Sequence, residues 1–514
     1  MSLQSLLQFL LLLFISINGF SVNPTFAKVS SVIHFEMIHR HSPEILGEKI
    51  LSRIERIKEL LDGDKIRMEI ISHKHKLRAE LEATSSSSSS SRRRASQLRG
   101  GVHGANSNSS FSLPLLSGSY VNKASYYVPF RFGTPAQKFL LVADTGSDLT
   151  WINCRLKCNQ RNRGQIGRFC ITKDDDTGRR IFYPDRSRTF RTVPCSTELC
   201  RQGFFDLMST TECPTPKSPC SYSYPYASTE VAEGIFAYDS VTVNLADGRK
   251  KKIHGMLMGC SREWDETSGL ANADGILGLG FNSHTFVSSV YKDYQGKFSY
   301  CLMDGSSPKN VSNYLTFGHR NAEEMPPNME FTELGLIGDH FCVTVEGIYV
   351  DGVKLDIPDQ VWKIEMGGGM IIDSGFSLTT WVQEAYGPIM AALETPLLHR
   401  YPRIEVEGLE SCFKVPKTDK KYESLVPKLE IQFMSGVRLK PAVKSYFIDG
   451  DDNGAKCIGF IPVPVEDPSD SYISILGNIM QENHMWEFDI SRSRLGFASS
   501  SCVLRHHHRF PSHS

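Results

Sequence analysis

Between about Ser119 and Cys502 the chain alternates apolar and polar positions in short runs. YYVPFRFG, KFLLVADTG, YDSVTVNLADG, FCVTVEGIYVDG and LEIQFMSGVRL are rich in β-branched and aromatic residues and are broken by Gly, Asn and Asp. A period of two, with turn residues at short intervals, predicts strands and a mostly β architecture. The best helical stripe in this part is QEAYGPIMAALE, 383–394. Upstream the texture differs. Glu44 to Glu82 is charged and carries Ile50, Leu51, Ile54, Ile57, Leu60 and Leu61 at helical intervals. SSSSSSSRRR, 85–94, then breaks the pattern and is too polar and repetitive to pack a core. The closing RHHHRFPSHS is polar; its histidines could bind a metal, but a solvated tail is the favoured reading.

Composition narrows the class. The chain has 514 residues, 40% hydrophobic and 22% charged, with a formal net charge of zero. That length suits two or three domains, and nothing global points to nucleic acid. The charge is uneven, with 28–100 basic and the remainder correspondingly acidic. The apolar run SLLQFLLLLFISI, with small residues from Ser21 to Ala27 behind it, reads as a secretory signal peptide. No later stretch is long and apolar enough to span a bilayer. Of 13 cysteines, eight fall between Cys154 and Cys260. In a secreted chain this density implies disulfides; the pairs Cys154/Cys158 and Cys195/Cys200 also have zinc-like spacing, but no paired His cluster accompanies them.

The candidate chemistry lies in a phrase written twice. LLVADTGSDLTW, 140–151, returns as MIIDSGFSLTTW, 370–381. Each places an Asp, Asp144 or Asp373, at the end of an apolar run and follows it with a hydroxyl residue and a Gly suited to a tight turn. One such turn is weak evidence. Two, one in each half of a β-rich chain, suggest two lobes related by an approximate two-fold axis, each offering a carboxylate to a shared cleft. Neighbouring carboxylates cannot both ionise easily, so one proton is shared. The ionised partner draws a proton from water, and the protonated one donates to a peptide carbonyl. The chemistry needs no metal, other cofactor or covalent intermediate.

These motifs, with ADGILGLG (273–280), FSYCL (298–302), SILGNIMQENHMWEFD (474–489) and RLGFASSSC (494–502), resemble those of the pepsin-like aspartic endopeptidases, most closely the plant nepenthesin-like branch. The resemblance covers roughly residues 119–502. It implies a bilobal fold with a central cleft, catalytic residues Asp144 and Asp373, and support from Thr145, Gly146, Ser374 and Gly375. FEMIHRHSP, 35–43, looks like the start of that branch's pro-segment. The implied order is a signal peptide (1–27), a pro-segment (28–112), an N-terminal lobe (113–320), a C-terminal lobe (321–502) and a polar tail (503–514). The implied protein is a monomeric, acid-active zymogen of the apoplast or vacuole, glycosylated at Asn310 and acting on proteins or peptides. Its basic pro-segment would be drawn to an acidic cleft. Cys301 pairs with Cys502 and Cys412 with Cys457 in this reading, the eight earlier cysteines brace the first lobe, and Cys342 is left over as a buried thiol.

Two departures stand out. Tyr226 falls at the flap tyrosine that covers substrate, but Ala227, Ser228, Thr229 and Glu230 replace the expected Gly-rich tip. Ser147 fills the place from which a hydroxyl bonds the first Asp, whereas Phe376 fills it beside the second. Losing a bond to a carboxylate removes roughly 1.5–3 kcal/mol, and an adjacent ring desolvates it, so both effects disfavour ionised Asp373. Two functions follow: an endopeptidase with altered tuning, or a peptidase-shaped protein that binds or inhibits without efficient cutting. Retention of both Asp residues favours the first.

Overall fold

The computed structural model describes residues 33–39, helical positions 55, 57, 58, 61, 64 and 68, and residues 126–502 apart from 158–169, 172–179, 202–209, 226–230, 246–248, 262–272, 304–312, 319–324, 365–367, 452 and 464–472. The expected signal peptide, the Ser/Arg tract, Tyr226 with the expected flap tip, the sequon at Asn310 and the tail therefore lie outside the described residues.

The protein is mostly β. The apolar-polar runs form the strands they predict, and the stripe at 383–394 belongs to the helix Gln383–Leu398. Ala385, Tyr386, Ile389, Met390, Leu393 and Leu397 line the buried face of that helix, which carries Pro388 and Pro396 within it.

A 15-stranded sheet runs through the molecule. At its middle lie β1 (Ile33–His39), β2 (Tyr126–Phe132) and β3 (Gln137–Asp144). Strand β1 comes from the region expected to be a pro-segment, yet it is integral to the sheet. It pairs with Asn313–Phe317 on one side, from Ile33↔Phe317 to Met37↔Asn313, and with Tyr126 and Tyr127 of β2 on the other. Ile33, Phe35 and Met37 point inward at period two. Phe35 stacks on Phe130 with centroids 5.5 Å apart and meets Phe317 edge-on at 6.3 Å.

The two halves repeat one strand pattern. In the first, β3 runs parallel to Gly275–Gly278, which pairs antiparallel with β4 (Trp151–Asn153). In the second, Met370–Ile372 runs parallel to Ser474–Leu476, which pairs antiparallel with Thr379–Trp381 at Thr380↔Ile475. This is the bilobal, pseudo-two-fold arrangement that the doubled phrase predicts.

Cystines pin the strands together: Cys154–Cys260, Cys195–Cys213, Cys200–Cys220, Cys301–Cys502 and Cys412–Cys457. Cys342 lies outside these cystines and is buried, as expected. The sulfurs of Cys195, Cys200 and Cys213 cluster because two cystines lie side by side.

A buried ion cluster joins the strand Lys297–Leu302 to His484–Asp489. Lys297 Nζ lies 2.9 Å from Asp489 Oδ2 and 3.7 Å from Glu487 Oε1. Arg494 Nε reaches the same Asp489 oxygen at 3.0 Å. Burial opposes charge on Asp489, but hydrogen bonds from Lys297, Ser491 and Arg494 outweigh it and hold the carboxyl below its ordinary 3.8. Because the folded value is depressed, the cluster's contribution is present at neutral pH and is lost as pH falls through that lowered value. Lys297→Met removes the cation shared by the two buried carboxylates and leaves Arg492 and Arg494 beside Asp489. It should cost roughly 3 kcal/mol, read as a lower urea midpoint at neutral pH. An unchanged midpoint would remove the cluster from the stability account.

Candidate active site

Asp144 sits where it does because β3 is covered on both faces. Phe139 to Ala143 are all buried, which is why FLLVA reads as a continuous apolar run. The strand ends at Asp144, and the chain turns through Thr145 and Gly146. Met370, Ile371 and Ile372 deliver Asp373 to the equivalent end. Neither carboxylate has any exposed surface.

The turns are built alike. Gly146 N donates to Asp144 Oδ1 at 3.0 Å, and Gly375 N donates to Asp373 Oδ1 at 2.8 Å. Backbone bonds from the paired strand complete each loop. In the first half Leu279 N donates to Asp144 O and Gly280 N to Ser147 O. In the second, Asp373 N donates to Leu476 O and Asn478 N to Phe376 O. The glycines in GLG and LGN are required by this close approach. A Cβ on Gly278 would stand 2.4 Å from the carbonyl oxygen of Asp148, and one on Gly477 2.2 Å from that of Leu378.

Thr145 and Ser374 brace the loops against each other. Thr145 N donates to Ser374 Oγ at 3.1 Å, and Ser374 N donates to Thr145 Oγ1 at 2.9 Å. The hydroxyls then donate onward, Thr145 to Ile372 O at 2.9 Å and Ser374 to Ala143 O at 3.1 Å. Each hydroxyl therefore accepts from, and donates into, the opposite half. Buried backbone groups make such a link costly to break.

The halves differ where the sequence differs. Ser147 Oγ donates to Asp144 Oδ2. Phe376 provides no such donor and is wholly buried, in an apolar cluster with Met68, Cys342, Ile371, Ile473 and Ile475.

Several supporting residues were not singled out from the sequence. Tyr300 donates to Gln481 Oε1 at 2.5 Å, and Gln481 Nε2 donates to Asp373 O at 3.1 Å and Leu476 O at 2.7 Å. Burial, and secondarily the charge of Asp373, push the Tyr300 phenol well above its ordinary value, so it stays a donor. Asn478 Nδ2 donates to Ser374 O at 2.9 Å. Asp64, from the helical positions upstream, places its carboxylate on the backbone of Ser377 and Leu378. Tyr300, Asn478 and Gln481 lay inside recognised motifs; Asp64 could have been found as an acid on the apolar face of a helical stripe.

Comparison with known proteins agrees with this geometry. Residues 126–319 match the family model described as xylanase inhibitor N-terminal, and 340–499 match xylanase inhibitor C-terminal. The chain is 29% identical over 398 residues to aspartyl protease family protein 2 of Arabidopsis thaliana, covering 76% of this chain and 74% of that protein. It is 27% identical over 389 residues to aspartic proteinase nepenthesin-2 of Nepenthes gracilis, covering 74% and 79%. Among solved structures, basic 7S globulin from soybean superposes with a TM-score of 0.53 at 17% identity, over 73% of this chain and 92% of that one. The protein titled edgp does so with a TM-score of 0.55 at 18% identity, over 73% and 91%. The structural likenesses speak for the fold, and the sequence matches across both halves for descent: the chain belongs to the pepsin-like aspartic protease family, in the plant branch that includes the nepenthesins.

Proposed function

We propose that the chain is an aspartic endopeptidase, made as a zymogen in the secretory pathway, that hydrolyses peptide bonds with water activated between Asp144 and Asp373. The observation that carries this reading is the reciprocal Thr145–Ser374 brace beneath two wholly buried carboxylates. A brace that fixes two acids from opposite halves of the chain pre-organises them for one substrate group. One carboxylate removes a proton from water while the other donates to the carbonyl oxygen; the two then exchange roles for the departing amine. Tyr226 closes over the substrate in this reading, and residues 28–112 hold the protein latent until they are removed. Among the described residues no helix is long and apolar enough to cross a membrane.

A second reading, a peptidase-shaped binding or inhibitor protein, draws on Phe376 and on the inhibitor named in the matched family models. One assay separates the two. The purified full chain is acidified with a generic protein substrate, with and without pepstatin. Pepstatin-sensitive cleavage is expected; no cleavage anywhere in the acid range would reject the peptidase and leave the binding protein.

A further inference from the structure

The second catalytic loop carries a contact that the dyad chemistry does not use. Ile57, Leu61, Asp64 and Met68 are helical and recur at intervals of four, three and four, so they share one face. Ile57 and Leu61 belong to an apolar cluster with Leu378, Leu409, Cys412 and Cys457. Met68 belongs to the cluster that holds Phe376. Gly408 accommodates this face, since a Cβ there would lie 2.6 Å from Leu61 Cδ1. Asp64 falls between the apolar anchors and is 2% exposed. Its Oδ1 accepts from Ser377 N at 2.8 Å and its Oδ2 from Leu378 N at 2.6 Å. At the rim, Lys58 Nζ lies 3.1 Å from Glu407 Oε1.

A carboxylate is buried at low cost only where donors meet it. Two consecutive backbone N–H groups, one for each oxygen, are such donors. We propose that the loop Phe376–Leu378 is a recognition site for an amphipathic helix that presents one carboxylate on its apolar face, and that the helical positions Ile57, Leu61, Asp64 and Met68 of this chain are its ligand in cis, with Asp64 as the recognised group. The site has two parts: the paired N–H groups for the acid, and the flanking apolar clusters for Ile57, Leu61 and Met68. Phe376 then has a use that a hydroxyl residue would not serve, as part of the apolar seat beneath the helix. The attraction differs from the one expected of a basic segment on an acidic cleft, because the group at the loop is itself acidic. The regulatory meaning of the site, as a latch one residue from Asp-Ser-Gly, rests on the peptidase reading; the docking does not.

Hydrogen exchange on the full-length chain tests it. In Asp64→Ala the amides of Ser377 and Leu378 should exchange at least tenfold faster, while those of β3 and Gly275–Gly278 keep their rates. Asp64→Asn keeps the shape but accepts at one atom only, so one of the two amides should be released while the other keeps its protection. A synthetic peptide of residues 52–70, added to the Asp64→Ala chain, should restore protection, and the same peptide with Asp64→Ala should not. Unchanged exchange at 377 and 378, or equal protection by both peptides, would overturn the proposal. Should the alanine chain fail to fold, the asparagine chain decides by the same two amides. None of these readouts depends on cleavage, so a chain that cuts nothing would leave this test intact.

Discussion

Asp144→Asn and Asp373→Asn should each lower peptide-bond cleavage by at least about 10³-fold, within the range that acid–base groups contribute. Asparagine keeps the shape of the carboxylate but can neither take a proton from water nor give one to a carbonyl. At Asp144 the surroundings tolerate the exchange. Gly146 N can still donate to an amide oxygen, and the Ser147 hydroxyl can turn to accept from an amide N–H. At Asp373, Gly375 N likewise keeps an acceptor. Unfolding midpoints should therefore stay near wild type, which separates lost chemistry from lost structure. The measurement is the cleavage rate of one peptide substrate, alongside a urea curve for each variant. A variant that cuts at the parental rate would remove that Asp from the mechanism.

Phe376→Thr should cost about 3 kcal/mol of stability, near the low end for deleting a buried aromatic ring. The ring has no exposed surface and fills a cluster with Met68, Cys342, Ile371, Ile473 and Ile475. Threonine leaves part of that volume empty and brings a hydroxyl into it. Cleavage should survive within tenfold of the parent, because the Gly375 bond to Asp373 and the Thr145–Ser374 brace do not involve the ring. Chemical unfolding of the full chain gives the first quantity and a steady-state assay the second. A stable but inactive variant would show that the ring shapes the reacting geometry rather than the packing.

The doubled phrase was legible because its information is local. FLLVA and GGMII are apolar since their strands are covered, and the residues after each Asp must turn. The resemblance marked Thr145 and Ser374 as supports, and the structure shows that each bonds the backbone of the other. Phe376 was legible as a departure but not in its consequence. Its surroundings include Met68, which no local pattern connects to residue 376. Asp64 left a local trace as an acid on the apolar face of a helical stripe, but the backbone N–H groups that it meets at Ser377 and Leu378 lie far along the chain. Strand β1 left a period-two trace in Ile33, Phe35 and Met37, too short to outweigh the charged helical stretch behind it. Its place in the sheet depends on pairing with Asn313–Phe317, which local periodicity does not encode.

That pairing separates the order of synthesis from the order of assembly. Strand β1 is made before either neighbour, yet the sheet cannot close around it until Asn313–Phe317 has been made. Contacts so distant in sequence form slowly. If residues 28–112 are later cut away, the trimmed chain loses a strand from the interior of its sheet together with the Phe35 contacts. Such a chain inherits a shape reached with help that it no longer carries. Its lifetime is then set by how slowly it unfolds, and a sample denatured after trimming should not regain the fold that the untrimmed chain reaches.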